Sequence, residues 1–297
     1  MTHINIILIA LVLTLMSCAD TQKKEVQNPI SLSDIQKDSL TKVLQNASMN
    51  NDVLKIDEVY NTYIKPNCKD TNDVQFYLQR AHAKLLKSDF KSALQDINIA
   101  QKISPKTAHV YFMKGVAIGT LNPYSLDSSI TYFNKAIELA PDDPQYLQSR
   151  SEVYNTYKNY SKAIEDINKA IKLNPNKLWF YNLRASYLYS SKEYELALND
   201  YNFCIKYKKM DGDLFYFRGM CSYFLNKYEI ALIDFQASVK LNPKNGAYYT
   251  AVGITKFKLK DRDGAFPYLK KAMELGDGEG TKYYHQSLEW YAKHKKI

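Results

Sequence analysis

From residue 74 onward, small and large apolar residues recur with helical spacing, and the whole pattern returns every 34 residues. The segments NKAIELAPDDPQYLQSR at 134–150 and NKAIKLNPNKLWFYNLR at 168–184 align with Lys-Ala-Ile, Leu, Pro and Arg in place, and QASVKLNPKNGAYYTAV at 236–252 lies 68 residues beyond the second. A small, a large and a second small residue follow one another at i, i+4 and i+7. They are Ala93/Ile97/Ala100, Ser129/Phe133/Ala136, Ala163/Ile167/Ala170, Ala197/Tyr201/Cys204, Ala231/Phe235/Ser238 and Ala265/Leu269/Ala272. That spacing sets all three on one helical face. A further small residue precedes each set: Ala81, Gly115, Ser151, Ala185, Gly219 and Gly253. The pattern predicts six pairs of helices, at 74–107, 108–143, 144–177, 178–211, 212–245 and 246–279. Pro105, Pro141, Pro175 and Pro243 end four of them, because proline cannot continue a helix.

The eighteen small positions have a steric reason: a bulkier side chain there would push crossing helices apart. Phe90, Tyr160, Tyr194 and Tyr228 recur three places before a small residue and fill the gaps around it. With this period and these small triplets, 74–279 resembles the tetratricopeptide repeat, a helix–turn–helix module. The resemblance implies an all-α, right-handed solenoid of six repeats. The second repeat has 36 residues, and its extra length fits a loop at 119–123 with Ser125 as the next N-cap. The fourth has Lys209 where proline is expected, which predicts a looser joint and a hinge around 209–213. Residues 280–297 read as a capping helix that turns Leu288, Tyr291 and Tyr284 inward. Residues 32–73 suggest two further helices, a cap or a degenerate repeat.

The start of the chain has a different character. Ile4 to Met16 is an apolar run of 13 residues, too short to span a bilayer but of signal-peptide length. It ends in Leu15-Met16-Ser17-Cys18, which resembles the lipobox of bacterial lipoproteins, although no Lys or Arg precedes Ile4. The resemblance implies removal of 1–17 and diacylation of Cys18, giving a palmitate-bearing anchor at the cell envelope, on the outer membrane or facing the periplasm. Two acyl chains give durable attachment where one is marginal. The polar stretch 18–31 then serves as a flexible tether.

Composition adds little beyond this. The net charge is +9, yet Lys is scattered among Asp and Glu with no arginine-rich stripe, so nucleic acid is not an expected partner. Glycine (10) and proline (9) are scarce, which suits long helices. No HExxH, CxxC, P-loop or GxSxG pattern occurs, so no catalytic residue, metal site or cofactor is expected. Too little chain lies outside the repeats for a typical catalytic domain.

The resemblance also implies a concave groove, lined by the first helix of each repeat, that binds a protein or peptide. Carried over, its lining includes His82, His109, Phe112, Gln145, Gln148, Asn155, Trp179, Asn182, Tyr189, Tyr216, Tyr223 and Phe224, with Glu152 beside them. Amides can bond an extended backbone and aromatics can bury its side chains. The lysines of the carboxylate-clamping version are not matched: their places hold Leu78, Phe112, Gln148, Asn182, Tyr216 and Thr250. A glycan-binding lipoprotein using Trp179, Tyr189, Tyr216 and Tyr223 is the alternative, but the long insertions of that family are missing. Cys204 and Cys221 fall on helices expected to be neighbours and could pair as a disulfide in an oxidising compartment.

Overall fold

The computed structural model describes residues 74–121, 126–208 and 211–294. The signal peptide, Cys18, the tether, the helices expected at 32–73, Cys68, Ser125, and Lys209 and Met210 of the expected hinge lie outside the described residues. The described residues form thirteen α-helices and no strand. The chain divides into two compact units, one ending at Leu173 and the other beginning at Asn174.

In the first unit the helices are α1 (Val74–Leu86), α2 (Phe90–Ile103), α3 (Ala108–Leu121), α4 (Leu126–Leu139), α5 (Pro144–Thr156) and α6 (Tyr160–Leu173). The second holds α7 (Leu178–Ser190), α8 (Tyr194–Tyr207), α9 (Gly212–Phe224), α10 (Tyr228–Leu241), α11 (Gly246–Lys258), α12 (Arg262–Glu274) and α13 (Gly278–His294). Within each unit every helix packs on the next, as stacked helical hairpins do.

Turn chemistry sets the hairpins. Five first helices close on a left-handed residue: Ser88, Lys158, Lys192, Asn226 and Lys260, with φ between 58° and 68°. The next amide then bonds back across the last turn, as in Asp89 N to Lys84 O at 2.9 Å and Glu193 N to Leu188 O at 2.8 Å. Asp89, Asp143, Asp211, Asn245 and Asp261 accept backbone N–H groups at helix starts. The prolines sit two residues past the ends of α2, α4, α6 and α10. Tyr111 and Tyr181 donate their hydroxyls to the carbonyls of Pro105 and Pro175.

All eighteen small positions are buried. Glycine at the first of them is a contact requirement: a Cβ on Gly115 or Gly219 would stand 2.8 Å from the ring of Phe133 or Phe235. The close approach is therefore to the large residue of the second helix. Those large residues, Ile97, Phe133, Ile167, Tyr201, Phe235 and Leu269, are all buried.

A second regularity ties the hairpins together. Arg80, Arg150, Arg184 and Arg218 each grip an aspartate 16 residues on: Asp96, Asp166, Asp200 and Asp234. Each pair is bidentate, with N···O distances of 2.6–2.8 Å for Arg150–Asp166 and 2.7 Å for both Arg184–Asp200 bonds. The aspartates are buried, so losing one partner of such a pair typically costs about 3–5 kcal/mol. Arg150 and Arg218 also reach Asn134 at 2.7 Å and Asn202 at 2.9 Å in the preceding repeat. The second repeat substitutes Lys114, 5.1 Å from the ring of Tyr132, and the sixth holds Val252 and Tyr268 instead.

The last helix departs from expectation. Tyr284 and Tyr291 face Phe266 of α12 at 5.1 and 5.4 Å, and Tyr291 bonds Asp263 at 2.5 Å. Leu288 does not turn inward; it is 41% exposed while Ser287 is buried. One residue along a helix is a rotation of about 100°, so Ser287 and Leu288 flank the line of Tyr284 and Tyr291 on opposite sides, and the Ser287 side is the packed one. The glycine-rich stretch before this helix is a capped turn. Gly276 is left-handed at φ 79°, and Asp277 Oδ2 accepts from Gly280 N at 2.7 Å and Thr250 Oγ1 at 2.6 Å.

Candidate functional site

The first helices of the repeats carry the candidate residues, and the two units present them differently. In the first unit the face is largely closed. Phe112 on α3 is 0% exposed and packs its ring against Phe133, Tyr146 and His109, with centroids 5.9, 5.0 and 5.5 Å away. It is a core residue and not a groove contact. The cause is local: Gly115 one turn on has no side chain, so the ring of Phe133 fills that space and stands against Phe112.

Gln145 and Gln148 on α5 are also buried, which corrects their reading as amides facing a peptide. Gln148 Nε2 donates to Glu152 Oε1 at 2.9 Å, so its amide is committed within the helix. Asn155 is half-buried at the end of α5. His82 and His109 lie close enough that charge on His82 disfavours charge on His109. His82 Nε2 and His109 Nδ1 are buried and have no hydrogen-bond partner among the described residues. Burial pushes both imidazoles down to about 4, so both are neutral at pH 7. Burial has the opposite effect on Glu152, raising its carboxyl to about 7.

In the second unit the face is aromatic and partly open. Trp179 on α7 is 37% exposed and Phe224 on α9 is 44% exposed. Tyr189 is the centre of a ring cluster, 5.8 Å from Tyr194, 5.9 Å from Phe217 and 6.0 Å from Phe224. Phe224 stacks on Tyr194 at 4.9 Å and meets Tyr223 edge-on at 5.8 Å. Tyr216 is half-buried between Tyr248 at 5.2 Å and Phe235 at 5.8 Å. Asn182 is half-buried on α7. Burial raises the phenol of Tyr189 to about 12 and those of Tyr216 and Tyr223 as well, so these hydroxyls stay neutral donors.

Phe217 belongs to this cluster and was missed by position alone. The sequence places it next to Tyr216, and only the packing of Tyr189 and Tyr201 shows that its ring reaches this face. Cys204 and Cys221, which could have paired, are both free, buried thiols. Cys204 Sγ points to the carbonyl of Leu178 in its own hairpin, 3.7 Å away. Burial raises the two thiols to about 11 and about 12, which keeps them unreactive.

Among the described residues no cluster of three or more His, Cys, Asp or Glu could hold a metal ion. No described helix is long and apolar enough to cross a membrane. The arrangement offers stacking rings in one unit and buried, poorly partnered polar atoms in the other.

Residues 144–177 match the family model of the tetratricopeptide repeat. Among solved structures, the chain is similar to MamA from Desulfovibrio magneticus RS-1, residues 41 to the end, at 22% identity and a TM-score of 0.53, over 57% of this chain and 94% of that one. It is similar to YrrB, described as a tetratricopeptide protein with an unusual peptide-binding site, at 19% identity and 0.56, over 64% and 97%. It is similar to PilF of Pseudomonas aeruginosa at 16% identity and 0.59, over 72% and 97%. These likenesses are of fold. No curated protein matches the sequence.

Proposed function

We propose that this chain is a binding scaffold held at a membrane of the cell envelope by lipid on Cys18, and that it takes a segment of a partner protein along the first helices of its repeats. The observation that carries the binding reading is the half-open ring cluster of the second unit. A soluble domain ordinarily buries such rings, and Trp179 and Phe224 keep more than a third of their surface open. Rings of this kind bury a guest side chain at little rotamer cost. YrrB, a relative in fold, is described as having a peptide-binding site, which supports the same use here. The anchor rests on the Leu15-Met16-Ser17-Cys18 motif and the apolar run before it.

The glycan reading is weaker. Sugar platforms need flat, free ring faces, whereas Tyr189, Tyr216 and Tyr223 are packed edge-on or stacked against other rings. Binding is also favoured over catalysis, since neither the cysteines nor the aromatics of this face are activated.

The test is crosslinked capture from envelope fractions with the full chain and with Trp179→Ala/Phe224→Ala. The double substitution is expected to lose the principal partner while the fold persists. Recovery of every partner at wild-type yield would remove the ring cluster from the binding surface. Separately, Cys18→Ser is expected to abolish incorporation of labelled palmitate and to release the protein from membranes. Continued incorporation would sink the anchor.

A further inference from the structure

A small cleft in the first unit lies among α3, α4 and α5. Gly115, Val116, Gly119 and Thr120 of α3 form one wall, Ser129 and Phe133 of α4 the second, and Ser149, Glu152, Val153 and Thr156 of α5 the third. Its volume is about 30 Å³, the space of one water-sized group. Two side chains in its wall carry hydroxyls that the packing leaves unused. Ser129 Oγ and Ser149 Oγ are buried, and neither has a hydrogen-bond partner among the described residues. Leaving a buried hydroxyl unpaired typically costs about 1–3 kcal/mol. Beside them stands the carboxyl of Glu152, which accepts from the neutral Gln148 amide at 2.9 Å. Among the described residues no cation pairs with it.

We propose that this cleft receives a primary ammonium group, the head of a lysine side chain of the partner segment, with Glu152 as counter-ion and the hydroxyls of Ser129 and Ser149 as acceptors. The proposal rests on the reading that a partner segment lies along the first helices, and it names one chemical demand on that segment.

The match is one of donors, size and stem. An ammonium carries three donors and no acceptor, and the wall offers one carboxylate and two unused hydroxyl oxygens. One water-sized space admits –NH3+ and excludes the broad planar guanidinium of arginine. Val116, Phe133 and Val153 supply apolar walls for the methylene stem that follows the head. Glycine at 119 lets Ser129 Oγ sit close to α3, since a Cβ there would stand 2.7 Å from it and force it to move.

Burial holds the Glu152 carboxyl near neutrality, so an arriving ammonium displaces a proton from it. This gives a readout that needs no known partner. The full chain is labelled with 13C at glutamate carboxyls, Glu152 is assigned with Glu152→Gln, and its titration is followed with and without methylammonium chloride. Tetramethylammonium chloride, equally charged but bulky and without N–H donors, is the control. Methylammonium is expected to lower the Glu152 midpoint by about 1 unit or more, as a cation within 4–6 Å does, and tetramethylammonium to leave it in place. Gly119→Ala and Ser129→Ala/Ser149→Ala are expected to reduce the methylammonium effect. Equal shifts with both cations would mean bulk screening, and no shift with either would mean that the cleft holds water alone; both overturn the proposal. Neither result touches the ring cluster, whose capture test stands separately.

Discussion

In the first unit, α1, α3 and α5 turn histidine, glutamine and glutamate into the packing, and their large ring, Phe112, is sealed. In the second, α7 and α9 turn Trp179, Tyr189, Tyr216 and Phe224 toward a half-open face, and burial holds the Tyr189 phenol and the Cys221 thiol neutral. The scaffold beneath is shared. Both units use the small triplets, the left-handed turn and the arginine–aspartate brace. Repeat geometry therefore fixes where a first-helix residue sits, while its neighbours decide whether it is core or surface.

The largest effect that can break this comparison is a matched pair of truncations. Phe112→Ala is expected to destabilise the first unit by about 3–5 kcal/mol, as for a fully buried phenylalanine. Phe224→Ala, at the corresponding face of the second unit, is expected to cost about 1 kcal/mol and to act on partner capture instead. Because stacked repeats need not unfold together, the readout is hydrogen exchange resolved by unit under native conditions. Equal losses in the two units would mean that the contrast in exposure does not reflect the solution state.

That pair also shows how far the sequence could be read. The helices and their inner faces were legible because small and large residues recur at one spacing: Ala81 and Gly253, far apart in the chain, do the same job. Phe112, Gln145 and Gln148 were misplaced because the resemblance assigns them by repeat position, and position does not report which neighbours close over them. The brace was open to inspection, since Arg and Asp recur 16 residues apart at 150/166, 184/200 and 218/234. A search for small residues passes over it, because a buried charge is not part of an apolar pattern. Leu288 failed for a finer reason: it shares the i, i+4, i+7 face of Tyr284 and Tyr291, and hydrophobicity alone does not show which edge of that face packs.

A smaller effect separates the units by pH. His82 and His109 are held down to about 4 from an ordinary 6.5, so the unfolded chain binds protons more readily than the folded one between those values. Their contribution is complete above pH 6.5 and is lost as pH falls toward 4. Glu152 works the other way. Its carboxyl is raised from 4.5 to about 7, so the folded state holds that proton more tightly and loses stability as pH rises through 7. Each shift corresponds to at most about 3 kcal/mol. Two histidines against one glutamate make the balance of these three groups a loss of stability in the first unit on acidification. Glu152→Gln removes the opposing contribution: it is expected to stabilise the first unit at pH 8 and to steepen its loss below pH 6. Unit-resolved exchange at pH 4, 6 and 8 checks this, and parallel behaviour of the two units would contradict it.

The smallest effect tests what the units share. Lys158 closes α5 and Lys192 closes α7, with φ of 58° and 68°, a region where an L side chain is strained and glycine is not. Neither lysine appears in an ion pair of the described residues, so removing the side chain costs little contact. Lys158→Gly and Lys192→Gly are each expected to stabilise their own unit by about 1 kcal/mol or less, since relief of the left-handed strain is partly cancelled by the greater freedom of glycine in the unfolded chain. The two gains should be equal, because the turns are the same even though the faces they support are not. A gain confined to one unit would place the difference between the units in the hairpin itself, beneath the side chains that now appear to distinguish them.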